Sequence, residues 1–251
     1  MKALITGASS GIGRAMAARL AEDGYDLIIT ARRKDRLEEL QSLLKVDVEI
    51  ITADLTHEDE CYALWEQVKD SPIDIFINNA GFGVFGAFDK TDLAREVDML
   101  HVNITAMHIL MKLCLQKFLE QGHGYLLNVS SSAAFLPGPL FSSYYASKAY
   151  VLRLTQAVRE ELRRAQSEVY VGAFCPGPIK TEFGKSADVT KSFSGMDVGE
   201  AVDYAVRMMY KRKGVIVPGA LMKLARAVEA ILPQGLLTRI AYNLQHTKFG
   251  E

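Results

Sequence analysis

The chain has 251 residues, 49% of them hydrophobic and 24% charged, with a formal net charge of −1. That balance suits an ordinary globular domain and excludes bulk attraction to nucleic acid or acidic lipid. Three isolated cysteines, Cys61, Cys114 and Cys175, point to a reducing compartment rather than a disulfide framework. The five histidines show no metal spacing. The first apolar run, Ala3 to Ile5, ends at once in Thr6-Gly7, so no secretory signal is read there. A cytoplasmic, single-domain protein without repeats or linkers is expected.

Lys2 to Thr6 reads as a short apolar strand. It runs into TGASSGIG, Thr6 to Gly13, and then into a helical pattern with Met16, Leu20 and Ala21 on one side. Strand, glycine loop and helix together form the arrangement that cradles the phosphates of a dinucleotide. Gly7 permits a tight turn, while Gly11 and Gly13 let the backbone approach a pyrophosphate and pack the helix on the sheet. The helix N-terminus adds free N–H groups. Plain turn loops also carry glycine triplets, so this motif alone decides nothing. Asp26 to Thr30 is a second buried strand, followed by Ala31-Arg32-Arg33. A carboxylate at this strand end would accept from a ribose 2′-hydroxyl, whereas a guanidinium suits a 2′-phosphate. Arg32, ahead of Arg33, is expected to read such a phosphate. The plainer alternative is that both arginines open a solvated helix, Lys34 to Lys45.

Val48 to Thr52 is a third strand, ending in Ala53-Asp54-Leu55, where Asp54 either caps the next helix or accepts from an adenine amino group. Ile73 to Ile77 is a fourth, ending in Asn78-Asn79-Ala80-Gly81. Small and amide residues there suit a ligand crevice at the carboxyl ends of an open sheet, or an ordinary turn. Helical patterns follow over Asp89 to His101 and Asn103 to Glu120, with Asn103 between them as a cap or kink. Tyr125 to Val129 is the fifth strand and delivers Ser130 and Ser131. From Gly124 to Ser147 there is no charged residue, yet Asn128, a serine run, Pro137 and Pro139 argue against a membrane span. The stretch is expected to be a strand, a loop and the start of a helix that brings Tyr144 and Lys148 to one cavity. That helix continues to Arg164 or beyond. Val169 to Cys175 is the sixth strand, ending in PGPIKT, Pro176 to Thr181, and Val215 to Val217 is the seventh. The alternation predicts an α/β fold with a doubly wound, Rossmann-like parallel sheet of seven strands, covered by helices on both faces.

Taken together, TGASSGIG, NNAG at Asn78 to Gly81, Asn103, Ser131, the YxxxK pair Tyr144 and Lys148, and PGPIKT resemble the short-chain dehydrogenase/reductase family, in its single-domain, non-extended branch. The resemblance runs from Thr6 to about Gly219. It implies an NAD(P)-binding catalytic domain over residues 1–219, with residues 220–251 as a C-terminal helical extension of the same domain. It implies a catalytic tetrad of Asn103, Ser131, Tyr144 and Lys148. It further implies that Arg32 reads the 2′-phosphate, Asp54 the adenine and Thr181 the nicotinamide amide. The other cofactor contacts it implies are Gly7, Ser9, Ser10, Gly11, Ile12, Gly13, Arg33, Leu55, Asn79, Ala80, Gly81, Pro176, Gly177 and Ile179, together with Tyr144 and Lys148. NADP-preferring relatives often carry a basic residue just before the second motif glycine, where this chain has Ser10. Preference for NADP(H) over NAD(H) therefore leans on Arg32. No metal is implied. Relatives pair through the long helices after Asn103 and Tyr144, which implies a homodimer or homotetramer.

The chemistry gives each residue a task. Lys148, one helical turn from Tyr144, is expected to stabilise phenolate and bring the phenol pKa down from about 10. Ser131 would hold the substrate oxygen, and Asn103 a water linking Lys148 to solvent. Taken alone, the Tyr-Lys pair also fits an amphipathic helix with a snorkelling lysine. The expected activity is NADPH-dependent reduction of a ketone or aldehyde, or reverse oxidation of a secondary alcohol. The alternatives are an NAD-dependent alcohol dehydrogenase and a non-catalytic dinucleotide-binding regulator. Phe82, Phe85, Phe135, Leu136 and Phe141 suggest an apolar pocket for a small-molecule substrate. Lys180 to Asp197, with Phe183, Phe193 and Met196, suggests a mobile lid. In the tail, Leu221, Leu224, Ala225, Val228 and Leu232 precede Pro233-Gln234-Gly235, and Leu236, Leu237, Ile240 and Leu244 follow. Two helices packing on the core or on a second subunit are expected. A lid or a weak membrane-surface contact is the sharper alternative.

Overall fold

Seven apolar stretches form the strands: β1 (Lys2–Thr6), β2 (Asp26–Ala31), β3 (Val48–Thr52), β4 (Ile73–Asn78), β5 (Tyr125–Val129), β6 (Tyr170–Phe174) and β7 (Val215–Ile216). The computed structural model describes residues 1–183, 195–219, 222 and 232–249. The sheet order is β3-β2-β1-β4-β5-β6-β7, and every pairing is parallel. Strands of such a sheet are covered on both faces, which is why β1, β4, β5 and β6 are buried at nearly every position rather than at alternate ones. Edge strand β3 keeps Glu49 and Thr52 less covered.

The helices are α1 (Gly11–Glu22), α2 (Lys34–Leu43), α3 (Glu58–Val68), α4 (Leu93–Leu100), α5 (Met107–Gln121), α6 (Ser142–Arg164), α7 (Val198–Tyr210) and α8 (Gln234–Phe249). Successive strand residues point to opposite faces. Ile5, Ile29 and Ile77 accordingly meet Met16 and Leu20 of α1, Leu37 of α2 and Val202 of α7. Leu4, Ile28 and Phe76 meet Leu64 of α3, Leu110 and Phe118 of α5 and Val151 of α6. The chain winds outward from β1 to β3, then returns past β1 to β4. The carboxyl ends of β1 and β4 therefore flank the switch point where ligands of open α/β sheets bind.

Two boundaries differ from expectation. The first helical pattern starts at Leu93, because the Asp92 carboxylate accepts from the Arg95 amide (2.8 Å) and caps it there. Asn103 neither caps nor breaks a helix: α4 passes through a π-helical turn, His101–Ala106, directly into α5. Of the tail, Gln234–Phe249 is one helix, with Leu237 and Ala241 buried. The expected helix over Leu221 to Leu232 falls almost wholly outside the described residues, as does most of the expected lid, at 184–194. The lid's flanks pair with each other through a parallel bridge, Ile179 to Met196. No helix among the described residues is long and apolar enough to cross a membrane.

Candidate active site

At the switch point the backbone makes the first half of the site. Gly7 has φ +68°, a left-handed conformation that an L side chain resists. A Cβ on Gly13 would lie 2.3 Å from the Gly7 carbonyl, so α1 can sit on the loop only with glycine there. The Thr6 hydroxyl accepts from the amides of Asn79 (2.9 Å) and Ala80 (3.0 Å), and the Asn79 side chain donates to the Thr6 carbonyl (2.8 Å). These bonds clamp the glycine loop to the NNAG turn. Ser10 makes no side-chain cap, and the first turn of α1 carries no acid, so its N–H groups and positive end stay available to an anion. Thr181 lies against Gly11 and closes the PGPIKT arm over the loop. Leu55 and Pro176 are buried, Ala80 packs beneath the loop, and Ile12 packs on the sheet. Gly177 faces Met222.

The two arginines divide the work otherwise than expected. Arg33 reaches the loop, donating to the Ser9 hydroxyl (3.2 Å from Nη2) with Glu182 at 3.6 Å. Arg32 points outward, its side chain 63% exposed, and lies 3.8 Å from Asp54. Asp54 does not cap α3, whose N-cap is His57. Its Oδ1 instead accepts from the Thr56 amide (3.1 Å) and hydroxyl (2.9 Å) and fixes the turn after β3. Burial alone would raise this carboxyl, but the Thr56 bonds and Arg32 hold it below its ordinary pKa. A groove of about 940 Å³ borders Ser9, Ser10 and Gly11 and runs outward along α1 to Lys45. None of the four expected catalytic residues lines it; they sit at the other end of the crevice.

That other end is built from side chains. Tyr144 lies in the first turn of α6, 7% exposed, with the Ser131 side chain beside its phenol. Ser131 also caps a short 3₁₀ turn, Ser132–Phe135, by accepting from the Ala133 amide (3.1 Å). The Ser130 hydroxyl donates to the Lys148 carbonyl (2.9 Å) and moors α6 to the end of β5. The Lys148 ammonium donates to the Val129 carbonyl (3.1 Å) and stands 5.8 Å from the Tyr144 ring centre. A Cβ on Gly81 would come 2.8 Å from Asn103 Oδ1 and 3.2 Å from Lys148 Nζ. The NNAG turn thus gathers Asn103 and Lys148, and with them Tyr144 and Ser131, around one point.

Two expectations need correction. Tyr144 is not made more acidic in the cofactor-free protein: burial raises its pKa far above the ordinary value, and the neighbouring Ser131 side chain only partly offsets this. Lys148 does not act on it, because its ammonium is turned to Val129; burial brings Lys148 itself down to about 8. The Asn103 side chain has protein partners on both its amide atoms. Its Oδ1 accepts from the Phe82 amide (3.1 Å), and its Nδ2 donates to the Phe82 carbonyl (2.9 Å) and Ser147 hydroxyl (3.0 Å). The side chain ties the π-helical turn to α6 and the NNAG turn. Such turns expose a carbonyl that regular helix pairing would have used.

The apolar wall forms as expected around Phe82, Phe85 and Phe141, joined by Val84, Met99, Tyr145 and Phe183. Phe141 stacks on Tyr144 with ring centres 4.5 Å apart. Phe135 does not join it; it packs with Ala134, Leu152 and Val217 in a separate cluster. Sequence reasoning missed Glu96, a buried carboxylate that accepts from the Ser143 hydroxyl (2.6 Å) and from Thr91. It ties α4 to the turn bearing Tyr144, and no spacing in DKTDLAREV signals that.

Residues 1–192 match the family model described as short chain dehydrogenase. An uncharacterised oxidoreductase of Staphylococcus saprophyticus is 33% identical over 213 residues, covering 82% of this chain and 90% of that protein. A short-chain dehydrogenase from Sphingobium yanoikuyae, solved in complex with NADPH, superposes with a TM-score of 0.81 at 33% identity, covering 93% and 96% of the two chains. The bulky-bulky ketone specific alcohol dehydrogenase from Comamonas testosteroni superposes with a TM-score of 0.77 at 30% identity, covering 93% and 95%.

Proposed function

The chain belongs to the short-chain dehydrogenase family, and on that premise we propose that it reduces a ketone or aldehyde with NADPH, or runs the reverse oxidation of a secondary alcohol. The burial of Tyr144 beside Ser131, with the Lys148 ammonium 5.8 Å from its ring centre, carries this reading. Two hydroxyls converging on one point, against an apolar wall, are what a carbonyl oxygen needs as it becomes an alkoxide.

The residues present fit a dinucleotide. Gly7 and Gly13 leave no room for side chains where phosphates would approach, α1 presents an uncapped N-terminus, and Arg32 and Arg33 supply cations beside the loop. Arg33 and Ser9 together would take the 2′-phosphate, with Arg32 flanking it. The bound cofactor supplies the hydride. Ser131 holds the substrate oxygen by a hydrogen bond. Tyr144, kept as the neutral phenol by burial, gives its proton to the developing alkoxide. Ser131 then steadies the phenolate left behind. Lys148 carries its charge below a pH of about 8 and stabilises that phenolate once it swings from Val129 toward the ring. The buried Asn103 amide holds α6, which carries both Tyr144 and Lys148, against the NNAG turn. Phe85, Phe141 and Phe183 would face a bulky, mostly apolar substrate. Pairing of copies through α5 and α6 belongs to the same reading, supported by the exposed Leu119 and Tyr150 on those helices.

The test is oxidation of NADPH and of NADH against a panel of aryl and alicyclic ketones. Turnover is expected with bulky ketones, faster with NADPH. An inert wild-type protein across the panel, with either cofactor, would overturn the activity. Equal rates with both would overturn the preference.

A further inference from the structure

The C-terminal helix reaches back across 100 residues of chain to the immediate neighbour of Tyr144. Leu237, Ala241 and Gln245, each one turn from the next, form the buried stripe of α8. Leu237 and Ala241 need no further explanation in such a stripe. Gln245 does, because it is a primary amide only 6% exposed. Its Nε2 donates to the Tyr145 hydroxyl (2.7 Å), whereas its Oε1 is buried with no hydrogen-bond partner among the described residues. Turning the amide over would put Oε1 on Tyr145 and orphan Nε2 instead, so one polar atom stays unmatched either way. Buried amide atoms in native proteins are nearly always hydrogen-bonded, and an exception calls for a cause.

Its surroundings suggest the cause. Tyr145 shares the aromatic wall with Phe141 and Tyr144, at ring separations of 6.0 and 6.3 Å. Gly138 makes room for the Tyr145 ring, which a Cβ there would strike at 2.3 Å. The unmatched atom therefore lies one ring and one hydrogen bond away from the phenol assigned to proton transfer, behind a ring of the apolar wall.

We propose that Gln245 is a specificity-determining residue. Its unpaired amide oxygen accepts a hydrogen bond from a hydroxyl or N–H group carried at the far end of a mostly apolar carbonyl substrate. The preferred substrate class is then the hydroxy- or aminoketone rather than the plain ketone. Tyr145, which the helical spacing of Tyr144 and Lys148 leaves without a catalytic part, orients the amide. This rests on the carbonyl-reductase reading above.

The experiment compares the full-length wild type, Gln245→Leu, and Gln245→Leu combined with Tyr145→Phe. The first readout needs no substrate. Leucine removes an unmatched buried atom but also the donor to the Tyr145 hydroxyl, so the double variant, which removes both partners, is the one that should melt at or above the wild-type temperature. A fall of more than about 3 °C in the double variant would make the amide a structural tie and overturn the proposal. The second readout is kcat/KM for linear methyl ketones of increasing length, with and without a terminal hydroxyl. At one chain length the wild type should favour the hydroxylated member by about tenfold or more, and in Gln245→Leu that ratio should collapse toward one. Active wild-type enzyme with no hydroxyl preference at any length, or the same preference in the variant, overturns the assignment. Wild type inert on every ketone overturns the activity itself, while the melting comparison still judges the amide.

Discussion

The two ends of the crevice are built by opposite means. At the glycine-loop end the fixed parts are backbone and the charges are wet: the Arg32 and Arg33 side chains are 63% and 46% exposed. At the tyrosine end the fixed parts are side chains and the charge is dry: Tyr144, Lys148 and Asn103 are 7%, 5% and 1% exposed. Water screens the first end, so its cations act over short distances and in a salt-dependent way. Burial governs the second, and there it raises a phenol and lowers an ammonium without the two touching. Tight burial of ionisable groups is costly to the fold, and the aromatic packing around them sustains it.

The largest expected effect comes from breaking the dry end. Tyr144→Phe should lower kcat by about 10²- to 10⁴-fold while NADPH binding, read by fluorescence titration, stays within about twofold. A variant that keeps full activity would remove the mechanism.

Lys148→Met should lower kcat by about 10²-fold yet stabilise the protein at neutral pH. The unfolded lysine titrates near 10.5 and the folded one at about 8. Between those values the unfolded chain holds more protons, so wild-type stability rises with pH across that window. Below pH 8 the whole penalty for a buried ammonium is in force. The variant should therefore gain about 1–2 kcal/mol at pH 7, an advantage that shrinks above pH 8 and is gone beyond 10.5. Urea unfolding at pH 7 and pH 10 measures it, and a variant less stable at pH 7 would show that the Val129 hydrogen bond outweighs the desolvation.

At the wet end effects should be smaller and salt-dependent. Arg33→Ala should raise the KM for NADPH about 5- to 10-fold and Arg32→Ala about 2- to 5-fold, with NADH little changed. Both penalties should shrink at high ionic strength. The reverse ranking would favour Arg32, the order that strand position alone suggests.

The smallest effect sharpens the boundary between site and scaffold. Ser143→Ala removes one donor from buried Glu96 and should cost about 1 kcal/mol in urea unfolding, with kcat changed by no more than a few-fold. A large fall in kcat at unchanged stability would instead place Glu96 among the groups that aim Tyr144.

The sheet was legible because parallel strands buried on both faces leave mostly apolar runs, and all seven were found within one or two residues of their observed ends. The glycine loop was legible because Gly7 and Gly13 answer local demands, a left-handed φ and a close helix approach. The Tyr144–Lys148 pair was legible as one helical turn. The partners of those residues were not. Nothing in the spacing of Asn103 tells that a π-helical turn spends its amide on Phe82 and Ser147. Nothing in YYASK tells that the lysine turns to Val129, or that the second tyrosine meets a glutamine 100 residues later.

What the sequence determined by itself was the fold, the glycine loop and the placing of Tyr144 and Lys148 on one helical turn, since each rests on periodicity or on conformations only certain residues adopt. What only the tertiary structure decided was which arginine lies on the loop, which way the ammonium faces and how far burial shifts the phenol. Those depend on distances between segments remote in the chain and on the exclusion of water, and neither is written in local spacing.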